Sequence, residues 1–175
     1  MQFPQRVKRM GMATTKNNRK EDGKNSLSEV FSFFKKKKSS QSPLLVDIHS
    51  HLLAGLDDGV KSLDEAHSII KQFKALGFKK AITTPHVMSD AYRNTPATIN
   101  EGLRALKQSL KDTDIEFDIE AAAEYYLDEA VFQKVKSNEP LLTFGERYLL
   151  FETNFLTEPY QLKEFIFAVT TQGYK

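Results

Sequence analysis

The stretch LLVDIHSHLLAGLDDGVKS, residues 44–62, contains the strongest indication of the fold of this chain. It starts with an apolar run, places two histidines one residue apart at the end of that run, and continues into two aspartates and a glycine. A short apolar run bounded by turn residues is typical of a buried strand, here residues 44–50. Residues two apart on a strand point to the same face, so His49 and His51 can approach one ion. The stretch therefore predicts a strand that ends in a candidate metal site.

The segment SLDEAHSIIKQFKALG predicts a helix directly after this strand. Ser62 is a favourable N-cap residue, Glu65 follows at the spacing of a capping box, and Gly77 is typical of a helix end. Between the ends, apolar side chains recur on one face, at Leu63, Ala66, Ile70 and Phe73. This helical periodicity indicates that one face packs on the strand.

The rest of the chain repeats the alternation of strand and helix. Further strands are predicted at 79–86 (broken at Pro85), 115–126 and 148–155, and further helices at about 95–111, 127–136 and 158–172, the last closing at Gly173. Such alternation indicates parallel strands joined by right-handed crossovers, hence an α/β fold. About four strand–helix units are present, and a closed β/α barrel has more. The sequence therefore predicts a partial barrel, the front part of a larger one.

Composition limits the kinds of site that the chain can form. With 175 residues and no cysteine, it is long enough for one sizeable domain but has no disulfides and no thiolate-ligated metal site. Any metal must be held by His, Asp, Glu or backbone oxygen. Residues 1–40 carry eleven basic and three acidic residues, a charge of +8, whereas residues 41–175 carry 14 basic and 20 acidic residues, a charge of −6.

The basic N-terminal part is interpreted as a leader outside the domain. Residues 1–42 are predicted to be a disordered basic leader and linker, because few large apolar groups are present to offset the entropy of ordering, and residues 43–175 form the domain. The segment VFSFFKKKKSSQSP has two interpretations: a solvated tail, which is favoured, or a weak anchor for an anionic membrane surface or nucleic acid. No nucleic-acid partner is expected. The sequence contains neither a membrane span nor a secretory signal, so a cytoplasmic location is the simplest prediction.

Polar side chains follow the predicted strands where each strand ends. They are His49 and His51 after the first strand, Asp57 and Asp58 in the next loop, His86 after the second strand and Glu124 after the third. In parallel α/β folds these strand ends meet on one rim, where loops form sites. Each residue alone has an ordinary structural explanation, such as a turn, a loop cap or a surface ion pair. Together they indicate a metal site, whereas His67 lies inside the first helix and is predicted to be a surface or packing residue.

Three segments carry a resemblance to a known family. VDIHSHLLAGLDDGVKSLDEA, AITTPHVM and AAAEYYLD, in this order, resemble the PHP (polymerase and histidinol phosphatase) superfamily, specifically its bacterial manganese-dependent protein tyrosine phosphatases of capsular and exopolysaccharide synthesis. The resemblance covers about residues 43–175. Residues 1–29 would then be an additional leader, consistent with an upstream start that does not belong to the protein.

The resemblance implies a fold, a ligand set and a chemistry. The fold is a distorted (β/α)7 barrel with a metal cluster at its C-terminal rim, and Glu124 corresponds to a carboxylate that bridges metal ions. The implied nucleophile is a metal-bound hydroxide. Manganese is the expected metal, with iron, zinc or cobalt as alternatives, and the implied partner is the phosphotyrosine tail of a polysaccharide-export tyrosine autokinase. By motif position, the implied metal ligands are His49, His51, Asp58, His86 and Glu124.

The later motifs of the family are not found in this sequence. A histidine in an AHPER-like strand, a C-terminal Asp-x-His motif and the phosphate-binding arginines are expected beyond residue 175, so no residue is assigned as directly catalytic. The chain is therefore expected to be the N-terminal part of such an enzyme. Two alternatives stay open: an inactive metal-binding or regulatory remnant, and another PHP phosphoesterase such as a histidinol phosphatase. The DDGVKS stretch favours the tyrosine phosphatase.

Overall fold

The computed structural model describes residues 44–154, 156, 159 and 161–175. The predictions for the leader at 1–42, including its contact with a membrane surface, lie outside the described residues. The elements alternate along the chain: β1 (Val46–Ser50), α1 (Leu63–Leu76), β2 (Lys80–Thr83), β3 (His86–Val87), α2 (Pro96–Asp112), β4 (Asp118–Ala121), β5 (Glu124–Tyr126), α3 (Glu129–Lys136), β6 (Leu150–Glu152) and α4 (Leu162–Thr171).

The strands pair in parallel in two sheets, of order β1-β2-β4 and β3-β5-β6. The predicted α/β class with parallel strands is confirmed. The predicted second strand occurs as β2 and β3 because Pro85, which has no N–H, lies between them. Backbone hydrogen bonds bridge this gap, from Ala122 N to Thr83 O at 2.9 Å and from Glu124 N to Pro85 O at 3.1 Å. The two sheets therefore follow one another along the same pair of chain segments.

Helix α1 has the ends that the sequence predicts. The Ser62 hydroxyl accepts a hydrogen bond from Glu65 N at 3.2 Å, and Gly77 adopts a left-handed φ of 100° at the C-cap. The expected capping box is only half formed, because the Glu65 carboxylate accepts from Lys61 N at 2.7 Å instead of from Ser62 N. The acidic side chain thus stabilises the loop that precedes the helix.

Several predicted boundaries differ from the structure: the first and fourth strands are shorter than predicted, the third is divided into β4 and β5, and two elements begin later. The third strand begins at Asp118 instead of residue 115, because Ile115 N donates to Leu110 O at 2.9 Å and so closes the end of α2. The last helix begins at Leu162 instead of residue 158, after a turn in which Leu162 N donates to Pro159 O at 3.1 Å. In both places a local hydrogen bond, which periodicity does not reveal, delays the next element.

The core lies between the helices and the sheets. Its largest fully buried apolar side chains are Phe132, Phe165, Leu52, Leu53, Ile70, Ile99, Leu106 and Ile119. By contrast, Val46 and Ile48 on β1 are 40% and 53% exposed, and Phe167 on α4 is 73% exposed. Within the described residues, no helix is both long and apolar enough to cross a membrane.

A buried threonine joins β2 to the loop that carries the candidate site. Thr83 Oγ1 accepts a hydrogen bond from Leu52 N and donates one to Ser50 O, both at 2.9 Å, and the residue is fully buried. We expect Thr83→Val to lower the free energy of unfolding by about 1–3 kcal/mol, because Leu52 N would lose its partner in a buried position. Urea denaturation measures this change.

The neighbouring threonine is the matched control for this substitution. Thr84 is equally buried, but its Oγ1 has no hydrogen-bond partner among the described residues. Thr84→Val is therefore expected to leave stability unchanged or to raise it. Equal losses for the two variants would show that the hydrogen bonds of Thr83 do not stabilise the fold.

Candidate metal centre

Six side chains capable of binding metal meet where β1 and β6 end and where β3 and β5 begin. His49 comes from β1, His51 and Asp58 from the loop that follows, His86 from β3, Glu124 from β5 and Glu152 from the end of β6. We refer to these six residues as the rim cluster. The parallel pairing places them together, with His86 opposite Glu124 and Tyr126 opposite Glu152 in the register of the sheet.

Glu124 lies at the centre of the rim cluster. Its Oε1 is 3.7 Å from His49 Nε2, and its Oε2 is 3.3 Å from His51 Nε2 and 3.2 Å from His86 Nδ1. The Glu124 side chain is only 8% exposed, whereas that of His49 is 47% exposed. One buried carboxylate therefore faces three imidazoles, with solvent on the side of His49.

Asp58 and Glu152 extend the cluster on the two sides of His86. Asp58 Oδ1 is 3.6 Å from His86 Nε2, and Glu152 Oε1 is 3.2 Å from His86 Nδ1. Three overlapping groups result, in each of which one ligand atom from every residue lies within 4.8 Å of the others. The groups are His49–His51–Glu124, His51–Asp58–His86 and His86–Glu124–Glu152.

Two buried polar atoms at the centre of the cluster lack hydrogen bonds. His86 Nδ1 and Glu124 Oε2 have no hydrogen-bond partner among the described residues, although they face each other at 3.2 Å. Buried polar atoms are normally paired, because leaving one unpaired costs about 1–3 kcal/mol. A divalent cation between an imidazole nitrogen and a carboxylate oxygen satisfies both atoms. The residues of the rim cluster therefore fit a metal ion.

Asp57 supports the cluster without belonging to it. Its Oδ2 is 2.6 Å from His51 Nδ1 and accepts from His86 N at 3.0 Å, while its Oδ1 accepts from Gly59 N at 2.9 Å. A carboxylate bound to one ring nitrogen of a histidine fixes the orientation of the ring and leaves the other nitrogen for a metal. Asp57 thus turns His51 Nε2 toward Glu124 and ties two ligand-bearing segments together.

These contacts shift the pKa values of both partners in the metal-free chain. The hydrogen bond with Asp57 and the nearby carboxylate of Glu124 raise the pKa of His51 to about 10, against the opposing effect of burial. Burial alone would raise the pKa of Asp57, but hydrogen bonds from His51 and from the backbone N–H groups of Gly59 and His86 lower it below its usual value. Without a metal, the pair is therefore a protonated imidazole beside an ionised carboxylate.

All five predicted ligands lie in the rim cluster, and their role as ligands stays a prediction. Sequence reasoning missed Glu152, although the same rule, a polar residue at the end of a predicted strand, applies to it. It also left Asp57 without a role. His67 lies elsewhere: it is buried in α1, with its Nε2 2.9 Å from the Ser109 hydroxyl on α2. Of the two predicted roles, the packing role agrees with the structure and the surface role does not.

Comparison with known proteins gives this arrangement a family context. Residues 45–175 match the family described as capsular polysaccharide synthesis, CpsB/CapC. The chain belongs to the CpsB/CapC family. Among similar proteins, a putative tyrosine-protein phosphatase, CapC of Staphylococcus aureus, is 28% identical over 130 residues, covering 74% of this chain and 51% of CapC. The tyrosine-protein phosphatase YwqE of Bacillus subtilis is 27% identical over 134 residues, again covering 74% of this chain and 51% of YwqE.

A solved structure supports the same relationship. Crystal structures of YwqE from Bacillus subtilis and CpsB from Streptococcus pneumoniae, described as unique metal-dependent tyrosine phosphatases, include a chain similar to this one with a TM-score of 0.67 and 26% identity. The match covers 74% of this chain and 52% of that chain. This member of the CpsB/CapC family thus spans about half the length of the relatives that it matches.

Proposed function

We propose that the rim cluster binds divalent metal ions. The contact between His86 Nδ1 and Glu124 Oε2 carries this proposal, because the two buried atoms lie 3.2 Å apart and neither has a hydrogen-bond partner among the described residues. Five of the six proposed ligands are those implied by the sequence, and Glu152 is added from the geometry. The proposed ligands are His49, His51, Asp58, His86, Glu124 and Glu152.

The donor atoms narrow the choice of metal. Imidazole nitrogens and carboxylate oxygens suit manganese, iron, zinc and cobalt, and the absence of cysteine removes the thiolates that would favour a softer ion. Three of the proposed ligands are acidic (Asp58, Glu124 and Glu152), and Asp57 beside them is a fourth carboxylate. The cluster therefore has enough negative charge to neutralise more than one cation. Manganese is the metal we propose, in line with the resemblance of the sequence.

We infer that this site belongs to a phosphotyrosine phosphatase with a partial (β/α)7 barrel of PHP type. Bound metal ions of this kind lower the pKa of a coordinated water and so supply a nucleophile at neutral pH. Within the chain, Glu124 holds the centre of the site and Asp57 keeps His51 oriented. The exposed side at His49 leaves an approach for a phosphate ester, whose negative charge the cations attract.

The wider role belongs to the same proposal. The family description names capsular polysaccharide synthesis. From the resemblance of the sequence, we propose that the substrate is the phosphotyrosine tail of a polysaccharide-export tyrosine autokinase and that the site acts in the cytoplasm. No phosphate-binding arginine is assigned to the rim cluster.

Hydrolysis of p-nitrophenyl phosphate and of a phosphotyrosine peptide tests the proposal. We expect the chain with added Mn²⁺ to hydrolyse both, and we expect His51→Ala to reduce the rate at least about a hundredfold, because it removes a ligand atom facing Glu124. Chelation of the metal should abolish the activity of the wild type. Lys107→Ala, an exposed substitution on α2, is the control and should retain the wild-type rate.

Calorimetric titration with Mn²⁺ separates binding from turnover. Mn²⁺ binding without hydrolysis would leave the metal site standing and contradict catalysis by this chain, as expected of a regulatory remnant. Equal background rates for wild type and His51→Ala would also contradict catalysis by this chain. A folded chain that binds no divalent ion would contradict the site itself.

A further inference from the structure

A cavity lies beside β3 and β5, on the face of these strands opposite His86 and Glu124. It has a volume of about 430 Å³, and its lining includes Val87 and Tyr125. Val87 pairs with Tyr125 in the sheet, just as His86 pairs with Glu124. Val87 directly follows His86 in the chain, and Tyr125 directly follows Glu124. Successive residues of a strand point to opposite faces, so the cavity is separated from the metal ligands by one strand layer.

One short segment borders both the cavity and the rim cluster. The ring of Tyr92 stacks on that of His86, with centroids 5.5 Å apart and planes 15° apart. The next two residues, Arg93 and Asn94, line the cavity. Asn94 Nδ2 also donates to His86 O at 2.8 Å, which holds the segment against β3. Residues 92–94 therefore pass from the rim cluster to the cavity along β3, the edge strand of its sheet among the described residues, so a peptide that follows this segment around the edge borders both.

We propose that this cavity receives an aromatic side chain of the peptide whose phosphotyrosine reaches the rim cluster; the inference rests on the proposed function. Val87, Val131 and Pro140 give the cavity an apolar lining. Arg93 Nε donates to Ser89 O at 2.8 Å, which fixes the guanidinium at the cavity. A guanidinium interacts more favourably with the face of an aromatic ring than with an aliphatic side chain. Met88 also lines the cavity, and its thioether has the same preference for an aromatic ring.

The other charges around the cavity favour an uncharged occupant. Lys134 is neutralised by Glu139, with Nζ and Oε2 2.9 Å apart. The Asp128 carboxylate already accepts from Val131 N at 2.9 Å and from Ser89 N at 3.0 Å. Since these groups have partners, they do not require an ionic ligand. The cavity can therefore bind an aromatic ring by burying it beside Arg93, and phenylalanine or the apolar part of tyrosine provides such a ring.

Binding of non-hydrolysable peptides tests the inference. The probes are fluorescein-labelled peptides that carry difluorophosphonomethyl-phenylalanine in place of phosphotyrosine, with phenylalanine at each flanking position in turn or with alanine throughout. Fluorescence anisotropy in the presence of Mn²⁺ measures their affinity for the full chain. We expect at least one phenylalanine peptide to bind about tenfold more tightly than the alanine peptide, the discrimination that an apolar pocket provides.

A matched pair of variants locates the preference. Ala130 is exposed on α3 and lines the cavity, so Ala130→Phe fills it; Ala97 is exposed on α2 and does not line the cavity, so Ala97→Phe is the control. Ala130→Phe should reduce the preference to less than about twofold, and Ala97→Phe should retain it. Mn²⁺ affinity should be unchanged in both, since neither residue belongs to the rim cluster.

The outcomes separate the inference from the proposed function. No preference for phenylalanine in the wild type, no measurable binding of any peptide, or a preference that survives Ala130→Phe would each overturn the inference. A preference that Ala130→Phe removes supports it even if p-nitrophenyl phosphate is not hydrolysed. That outcome would contradict the proposed catalysis and support the peptide-binding site.

Discussion

Gly59→Ala is expected to lower the free energy of unfolding by about 3 kcal/mol and to weaken Mn²⁺ binding at least about tenfold. An added Cβ at this position would lie 2.4 Å from His51 Cβ, 2.5 Å from His51 O and 3.0 Å from Asp57 Oδ1. Neither backbone nor a Cβ can move aside as the end of a long side chain can. The loop must therefore shift, and with it the Asp57 carboxylate that orients His51.

A second glycine in the same loop is the control for this variant. Gly55 has a φ of +73°, but an added Cβ would meet no atom within 4 Å. Gly55→Ala should cost about 1–2 kcal/mol of backbone strain and leave Mn²⁺ affinity within about twofold of the wild type. Urea denaturation and calorimetric titration of both variants measure the two quantities. Equal losses of Mn²⁺ affinity would show that general loop strain, and not the contact with His51, sets the affinity.

The positions of most site residues were predictable because they depend on topology. His49, His86 and Glu124 lie at the ends of predicted strands, and parallel pairing brings such ends to one edge whatever the details of the loops. Glu152 follows from the same rule. The caps of α1 were predictable for a related reason, since Ser62 and Gly77 act through local hydrogen bonds and backbone conformation that the sequence displays directly.

The roles of the two neighbouring aspartates could not be derived from their spacing. Asp57 is buried and bound to His51 and two backbone N–H groups, whereas the Asp58 side chain is 67% exposed and faces His86. Adjacent residues in a loop have no fixed periodicity, so only the path of the chain decides which carboxylate turns inward. The resemblance to the family selected Asp58 as the ligand, but it did not indicate that Asp57 supports two ligand-bearing segments.

Glu124→Gln is expected to reduce Mn²⁺ affinity by more than about a hundredfold. Glutamine has nearly the shape of glutamate, so the packing around this buried side chain is retained. It removes the negative charge that faces His49, His51 and His86, and it places an amide where the geometry provides for a cation. The expected loss exceeds that of a supporting residue, for which tenfold to about a hundredfold is typical.

Urea denaturation with and without Mn²⁺ makes this expectation quantitative. A ligand at about 100 times its dissociation constant stabilises a folded chain by about 2.7 kcal/mol, so the wild type should gain about this much and Glu124→Gln almost nothing. Glu120→Gln is the matched control, because Glu120 is a half-exposed residue on β4 that pairs with Lys80. It should show the full gain. Both substitutions remove one negative charge. If Mn²⁺ raised the free energy of unfolding of Glu124→Gln as much as that of Glu120→Gln, the carboxylate of Glu124 would not be a metal ligand.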